Sequence, residues 1–165
     1  MEHFEDRVAV VTGAGNGIGL AIAHAFAAEG ARVAIADISE EAGARAVEEI
    51  KGQGGCAVSV PTDVADEESV RTMVERVLKQ FGRIDILVNN AGVVVHKSLV
   101  DLDRSEWDRQ LDVQLTGPFL TTKHVGRHFI ERGEGGKIVN ISSASAVMGR
   151  VKGGPHCASK GGLTM

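Results

Sequence analysis

The sequence alternates between short apolar runs and longer amphipathic segments, and this alternation restricts the fold more than any other feature. Five runs have the length and β-branched content of buried strands, at 7–13, 32–37, 56–64, 84–92 and 136–143. Segments with helical spacing of apolar residues separate them, at 17–30, 39–54, 66–82 and 103–133. The alternation predicts an α/β fold, with a parallel sheet covered by helices on both faces.

Turn and cap residues divide the helical segments. Ser39 and Asp66 are predicted N-caps, and Gly30 is a predicted stop. The segment 103–133 is interpreted as a short helix followed by a long one, with Pro118 as a possible kink. A sixth helix is expected to begin near Pro155, because proline suits a first helical turn.

Composition excludes several classes of protein. The 165 residues predict a single domain spanning 1–165, and 43% apolar and 24% charged residues are typical of a soluble protein. A net charge of -4 without a basic block argues against nucleic acid as a partner, and no apolar run is long enough for a membrane span. No secretory signal pattern is present, and Cys56 and Cys157 are interpreted as free thiols, so we expect a cytoplasmic location.

A glycine-rich string, TGAGNGIG at 12–19, lies between the first strand and the first helix. Glycines let the backbone turn tightly and approach a ligand, and a helix N-terminus offers free N–H groups to a pyrophosphate. A tight turn without a ligand is the alternative. The strand before it, the helix after it and an acidic residue about 20 residues on favour a dinucleotide site.

Asp37 is that acidic residue, and it ends the second predicted strand. A carboxylate there can accept hydrogen bonds from both ribose hydroxyls of an adenosine, and it would repel a 2′-phosphate. The expected neighbours Asn16 and Ile38 supply no compensating arginine or lysine, so NAD is expected in preference to NADP. A helix-capping or solvated carboxylate is the alternative interpretation.

Five motifs in order carry a resemblance to the short-chain dehydrogenase/reductase family: TGAGNGIG with Asp37, TDV at 62–64, NNAG at 89–92, NISS at 140–143 and ASK at 158–160. The resemblance covers essentially the whole chain. It implies a Rossmann-like, doubly wound parallel sheet in three α/β/α layers that binds a nicotinamide cofactor. By matching positions it implies these cofactor-binding residues: Gly13, Asn16, Gly17, Ile18, Gly19, Asp37, Asp63, Val64, Asn90, Ala91, Gly92 and Lys160.

The same resemblance implies an active site that departs from the family pattern at two positions. Family members use a serine, a tyrosine and a lysine, with an asparagine on the long helix. Ser143 and Lys160 match the serine and the lysine, but His156 stands at the tyrosine position and Gln114 at the asparagine position. The chain contains no tyrosine at all.

Histidine changes the proton chemistry that the resemblance implies. Cationic neighbours would lower its pKa from about 6.5 and keep the imidazole neutral, so it could act as a base but would be a poor acid. This favours alcohol oxidation. Two interpretations of His156 stay open, a weakened catalytic base and an inert replacement. The alternative interpretation of Ser143 is a serine that caps the loop after the fifth strand. Without the resemblance, Lys160 would be interpreted as a surface lysine.

The chain ends at Met165 and resembles the N-terminal two thirds of a family member, so the last strands of the sheet are expected to be lacking. The sequence is compatible both with a piece of a longer enzyme and with a shortened variant. The fifth strand is expected to be an exposed edge of the sheet. The resemblance implies a small or medium alcohol or ketone as substrate and a homo-oligomer for a full-length chain. A cofactor-binding module without turnover is the alternative function. No metal site is predicted; His96, Trp107, His124, His128 and Cys157 are interpreted as packing or surface residues.

Overall fold

The five predicted strands form one parallel sheet in a computed structural model, which describes residues 3–165. The strands are β1 (Val8–Thr12), β2 (Arg32–Asp37), β3 (Cys56–Pro61), β4 (Ile86–Asn89) and β5 (Lys137–Asn140), and they lie in the order β3-β2-β1-β4-β5. Four of them are shorter than the sequence indicated. The remaining residues of those predicted runs form loops, most of them at the carboxyl edge of the sheet.

Six α-helices accompany the strands. They are α1 (Gly17–Ala28), α2 (Glu40–Gly52), α3 (Glu67–Phe81), α4 (Arg104–Leu111), α5 (Gly117–Arg132) and α6 (Gly154–Thr164). The predicted caps are confirmed, because Ser39 Oγ accepts from the N–H of Ala42 and the Asp66 carboxylate accepts from the N–H groups of Glu68 and Ser69. Among residues 3–165 no helix is long and apolar enough to cross a membrane.

A π-helical turn at Asp112–Thr116 joins α4 to α5. The predicted irregularity therefore lies just before Pro118, which occupies the first turn of α5 and has no N–H to donate to an earlier carbonyl. A 3-10 turn at Ala144–Ala146 follows β5 and was not predicted, because three residues are too few for a periodic signal.

Helices cover both faces of the sheet, because alternate strand residues point to opposite sides. Val8 and Val10 pack with apolar residues of α3 and α5, whereas Ala9 and Val11 pack with those of α1 and α2. Both clusters are buried, so the predicted three-layer, Rossmann-like α/β/α arrangement is confirmed.

The strand order positions a crevice at the carboxyl edge. β1 pairs with β2 on one side and β4 on the other, so the connections diverge there, and ligands of such sheets bind outside that point. β5 is the outer strand next to β4, and all four of its residues are exposed. On the neighbouring helix α5, Phe119 and Ile130 are exposed as well.

Candidate active site

A cleft of about 550 Å³ lies at the carboxyl edge of the sheet. It brings together every site residue predicted from the sequence except Gly19: Gly13, Asn16, Gly17, Ile18, Asp37, Asp63, Val64, Asn90, Ala91, Gly92, Gln114, Ser143, His156 and Lys160. Residues from five strand ends and two helices thus share one cavity. We call the part near Asp37 and Asp63 the adenosine end, and the part near Ser143, His156 and Lys160 the reaction end.

The glycine-rich turn leaves the N-terminus of α1 open toward the cleft. Gly13 and Gly17 have φ values of +62° and +57°, which favour glycine. A Cβ at Gly13 would lie only 2.8 Å from Ala91 Cα, so no larger residue fits there. The Asn16 side chain does not cap α1, and the helix has no acidic residue in its first turn. Its N–H groups and partial positive charge are available to an anion.

Gly19 has a different position from the other predicted residues. It is buried beneath the turn, and a Cβ there would collide with the Gly13 carbonyl and the Asn90 side chain. The absence of a side chain lets α1 pack directly on the turn. Gly19 therefore shapes the turn from below and does not line the cleft.

Asn90 and Thr12 fix the turn to the end of β4. Asn90 Nδ2 donates to the carbonyls of Thr12 at 2.9 Å and Gly13 at 3.1 Å. Thr12 Oγ1 in turn accepts from the N–H groups of Asn90 and Ala91. The sequence analysis quoted Thr12 within the glycine-rich string without assigning it a part in the site.

Asp37 is held by the main chain. Its Oδ2 accepts from the N–H of Gly15 at 2.8 Å, and its Oδ1 accepts from the N–H of Ser39 at 2.9 Å. Each carboxylate oxygen keeps a lone pair for a further donor. Arg45 of α2 lies nearby, with Nη2 2.9 Å from Asn16 Oδ1, a cation that the chain neighbours of Asp37 did not reveal.

Asp63 and Val64 form the wall beyond Asp37. Asp63 Oδ1 accepts from the N–H of Ala65, and the N–H of Asp63 donates to Ser69 Oγ, each at a distance of 3.0 Å. These two hydrogen bonds hold the loop after β3. Val64 is buried and packs against Gly117. A Cβ added at Gly117 would lie only 2.9 Å from Val64 Cγ2. The start of α5 thereby borders the adenosine end.

Ser143 and Lys160 stand at the reaction end. Ser143 lines the cleft, and its Oγ accepts from the N–H of Ser145 at 3.1 Å, so it also caps the 3-10 turn. Lys160 is 6% exposed, and its Nζ donates to the carbonyl of Ile141 at 2.6 Å. Burial lowers the pKa of Lys160 below its ordinary value.

His156 and Gln114 are in direct contact. His156 Nδ1 lies 3.1 Å from Gln114 Oε1, which also accepts from Ser159 Oγ at 2.8 Å. Gln114 Nε2 donates to the carbonyl of Val93 at 2.6 Å. Burial lowers the pKa of His156, and the positive charges of Lys160, Arg150 and His96 lower it further. Both effects favour the neutral form of the imidazole.

Comparison with known sequences identifies the family. The profile described as short chain dehydrogenase matches residues 7–165. The chain belongs to the short-chain dehydrogenase family. The resemblance predicted from the five motifs is thus confirmed, and the family is one of oxidoreductases that use nicotinamide cofactors.

Two curated members of the short-chain dehydrogenase family illustrate the relationship. An uncharacterized oxidoreductase of Thermotoga maritima is 46% identical over 159 residues, which are 96% of this chain and 62% of that protein. D-threitol dehydrogenase of Mycolicibacterium smegmatis is 41% identical over 161 residues, which are 98% of this chain and 62% of that protein. The chain spans about three fifths of the length of these relatives.

Solved short-chain dehydrogenase structures share the fold. The crystal structure of a short-chain type dehydrogenase/reductase from Mycobacterium marinum superimposes with a TM-score of 0.94 at 34% identity. The match covers 98% of this chain and 65% of that one. The Rossmann-like architecture described above is therefore that of the family.

Several cleft residues were missed by the sequence analysis. Arg109 is an exposed residue of α4 that lines the cleft four positions before Val113, and Thr62 lines it directly before Asp63. The TDV motif was the available signal for Thr62. Ser159, within the quoted ASK motif, contacts Gln114 through its hydroxyl.

The remaining histidines lie outside the cleft. His128 Nε2 accepts from the N–H of Ile84 at 3.2 Å, and His124 Nε2 contacts Glu67 at 3.0 Å. Within residues 3–165, no three His, Cys, Asp or Glu side chains are grouped closely enough to hold a metal ion.

Proposed function

We propose that this chain forms the cofactor-binding and catalytic part of an NAD-dependent oxidoreductase that acts on a small or medium alcohol or ketone. The observation that carries the proposal is the cleft itself, in which an open helix N-terminus and a carboxylate share a cavity with Ser143, His156 and Lys160. The similarity to D-threitol dehydrogenase supports an alcohol as substrate. The unit proposed is a single dinucleotide-binding domain, 1–165.

The residues of the adenosine end fit a dinucleotide. The uncapped N-terminus of α1 would hold the pyrophosphate, because Gly13, Asn16, Gly17 and Ile18 of the turn line the cleft. Asp63 and Val64 would border the adenine, while Asn90, Ala91 and Gly92 would line the path toward the reaction end. Lys160 would contact the nicotinamide ribose.

Asp37 supports NAD over NADP. Its two oxygens have lone pairs free for the 2′- and 3′-hydroxyls, and its negative charge opposes a 2′-phosphate. Arg45 donates a hydrogen bond to Asn16 and would weaken that opposition, since a guanidinium attracts phosphate. The carboxylate is held by two N–H groups, whereas Arg45 is exposed, so the carboxylate dominates.

A bound nicotinamide ring supplies the acceptor for a hydride. In alcohol oxidation the substrate loses that hydride from its carbinol carbon and a proton from its hydroxyl. His156, neutral because of its lowered pKa, would take the proton, and the Ser143 hydroxyl would orient the substrate oxygen. The Lys160 ammonium would disfavour a second positive charge on the imidazole, so the proton would have to pass on to solvent.

A second candidate is a cofactor-binding protein without turnover. The observation in its favour is that His156 forms its hydrogen bond with Gln114, and no hydrogen bond joins it to Ser143 or Lys160 within residues 3–165. A neutral imidazole is also a poor acid for carbonyl reduction. In this case the adenosine end would bind NAD while the reaction end would be inert.

Calorimetry and turnover on the 165-residue chain separate the two candidates. We expect NAD to bind more tightly than NADP, and D-threitol or a simple secondary alcohol to reduce NAD. His156→Ala should lower kcat by about 10²- to 10⁴-fold, the usual contribution of a general base, and leave NAD binding unchanged. His24→Ala is the control, because His24 contacts Gln53 on the outer side of α1, away from the cleft.

Each outcome decides between the candidates. Turnover that depends on His156 supports the oxidoreductase. Binding of NAD without turnover of any alcohol or ketone supports the second candidate, and an absence of binding of both cofactors overturns both.

Location and assembly are also proposals. Cys56 and Cys157 are free, which suits a reducing compartment, and we propose the cytoplasm. We propose a homo-oligomer for a full-length chain, supported by the exposed Phe119 and Ile130 on α5. Sedimentation of such a chain as a monomer would contradict the assembly.

A further inference from the structure

The amide of Gln114 has one possible orientation. Its Nε2 lies 2.6 Å from the carbonyl oxygen of Val93, which can only accept, so the nitrogen of the amide must face that carbonyl. Oε1 then faces His156 and Ser159. Gln114 is 2% exposed, and its amide is held on both sides by the protein.

This orientation determines which nitrogen of His156 carries the proton. Oε1 of an amide is an acceptor only, so both of its partners must donate. Ser159 Oγ donates at 2.8 Å, and His156 Nδ1, at 3.1 Å, must therefore be an N–H. In the neutral form of this imidazole, the other nitrogen, Nε2, then has a free lone pair.

Nε2 of His156 is open to the cleft. It has no hydrogen-bond partner in the part of the chain that the structure describes. Three side-chain atoms there are both buried and unpartnered, namely Arg32 Nε, Gln110 Nε2 and Arg132 Nε. Nε2 of His156 is not one of them, so it is accessible. His156 itself lines the cavity together with Ser143 and Lys160. The lone pair is therefore available at the reaction end of the cleft.

We propose that Gln114 is a positioning residue that holds His156 as its Nδ1–H tautomer and so makes Nε2 the proton acceptor. The tautomer is a property of this chain's own side chains, and its catalytic consequence rests on the proposed function. Ser159 and the Val93 carbonyl complete the arrangement, because they fix the amide that fixes the imidazole.

The proposal relates the two departures from the family pattern to each other. An imidazole is shorter than a phenol, and a glutamine is one methylene longer than an asparagine. The longer side chain reaches the shorter ring, and the contact of 3.1 Å joins α6 to the π turn.

Long-range nitrogen–proton correlation spectra of the isotope-labelled chain test the tautomer without requiring activity. We expect His156 to show a protonated Nδ1 and an unprotonated Nε2, with the resonance assigned by its loss in His156→Ala. Gln114→Met should shift His156 toward the Nε2–H tautomer, because methionine has a similar volume and offers no amide acceptor. A parent ring with a protonated Nε2, or a tautomer unchanged in Gln114→Met, would overturn the proposal.

Two controls separate positioning from folding. Gln110→Met removes another fully buried glutamine of the same helical segment. Its Oε1 accepts from the N–H of Val95 and forms no hydrogen bond with His156, so the tautomer should persist. His128, whose Nε2 accepts from Ile84, should report an Nδ1–H tautomer in every variant. Loss of that second signal in Gln114→Met would mean a general disturbance and would count against the proposal.

Kinetics distinguish this proposal from the proposed function. Gln114→Met should lower kcat for alcohol oxidation by about 10- to 100-fold, as for groups that orient metal-bound imidazoles, with KM for NAD unchanged. If the tautomer shifts but the parent has no turnover, the positioning role stands and the oxidoreductase function falls. If turnover depends on His156 but kcat and its pH profile are unchanged in Gln114→Met, the function stands and the positioning role is overturned.

Discussion

The two ends of the cleft are held together by different kinds of contact. At the adenosine end, polar side chains bond to the main chain: Asp37 accepts from two N–H groups, and Asn90 donates to two carbonyls. At the reaction end, Ser143, Lys160 and Gln114 also have main-chain partners, but a side-chain network joins Gln114 to His156 and Ser159. Main-chain partners do not change with sequence, so the first end keeps its geometry when neighbours are substituted. A side-chain network requires one substitution to be matched by another.

The sheet reinforces the contrast. The adenosine end lies over the carboxyl ends of β1, β2 and β3. No residue of β1 or β2 is exposed, and β3 is exposed only at its two terminal residues. The reaction end depends on the loop after β5, an edge strand with four exposed residues, and on α6. We therefore expect substitutions at the first end to change affinity for the cofactor, and substitutions at the second to change proton transfer.

Among substitutions that compare the two ends of the cleft, we expect the largest effect from Asp37→Ala, on the affinity for NAD. Asp37→Ala should weaken NAD binding by about 10- to 100-fold, because hydrogen bonds to a charged group contribute roughly 1.5–3 kcal/mol. NADP binding should weaken less or improve, since the repulsive charge is gone. Calorimetry with both cofactors measures this, and Asp101→Ala, at an exposed carboxylate, serves as the control. Equal losses for both cofactors would show that Asp37 only orders the loop.

The next effect concerns the side-chain network. His156→Tyr and Gln114→Asn restore the family pattern one residue at a time, and the double variant restores both. Because the two side chains are in contact, their effects on the free energy of unfolding should be non-additive by roughly 0.5–3 kcal/mol, with the double variant more stable than the sum of the single changes. Chemical denaturation measures the cycle. Additive effects would mean that the two departures from the pattern are independent.

A smaller effect is expected at Arg45. Arg45→Ala should reduce NADP affinity by a few-fold and leave NAD affinity nearly unchanged, because an exposed cation contributes roughly 0–1 kcal/mol. Titration with both cofactors in parallel gives the ratio. A larger loss for NAD than for NADP would place Arg45 at the pyrophosphate instead of near the 2′ position.

The smallest effect is on acid stability. Burial, and next the charge of Arg132, lower the pKa of His128 below 6.5 in the folded state. Its stabilising contribution is complete above the unfolded pKa of about 6.5 and is lost as the pH falls through the depressed folded value. His156 acts in the same direction at the reaction end. His128→Gln, which keeps an acceptor for Ile84, should flatten the fall of Tm with decreasing pH, and an unchanged slope would contradict this.

Sequence reasoning reached the adenosine end because its signals are local. A glycine-rich turn, a carboxylate at a strand end and an asparagine after the next strand each follow directly from a strand, and parallel strands end at one edge. The same reasoning predicted all five strands, although it extended four of them by residues that leave the sheet to form loops.

The reaction end was only partly accessible from sequence. His156 and Gln114 were identified by resemblance, but their contact joins residues 42 positions apart and depends on how the π turn faces α6. Arg45 and Asn16 are 29 positions apart, and their contact depends on the packing of α2 beside α1. Such contacts follow from the relative placement of elements, which no local pattern encodes.

The π turn between α4 and α5 sets the angular phase of a long helical segment. Each α-helical residue turns the chain by about 100°, and a π turn takes up one residue more than an α turn. Gln110 before it meets the N–H of Val95, and Thr121 after it meets Asn89 at 2.6 Å. Deleting one residue between 112 and 116 would preserve a helix, yet those two attachments could no longer both form. Gln114 lies within this turn, so the proposed orientation of His156 depends on how many residues the turn contains.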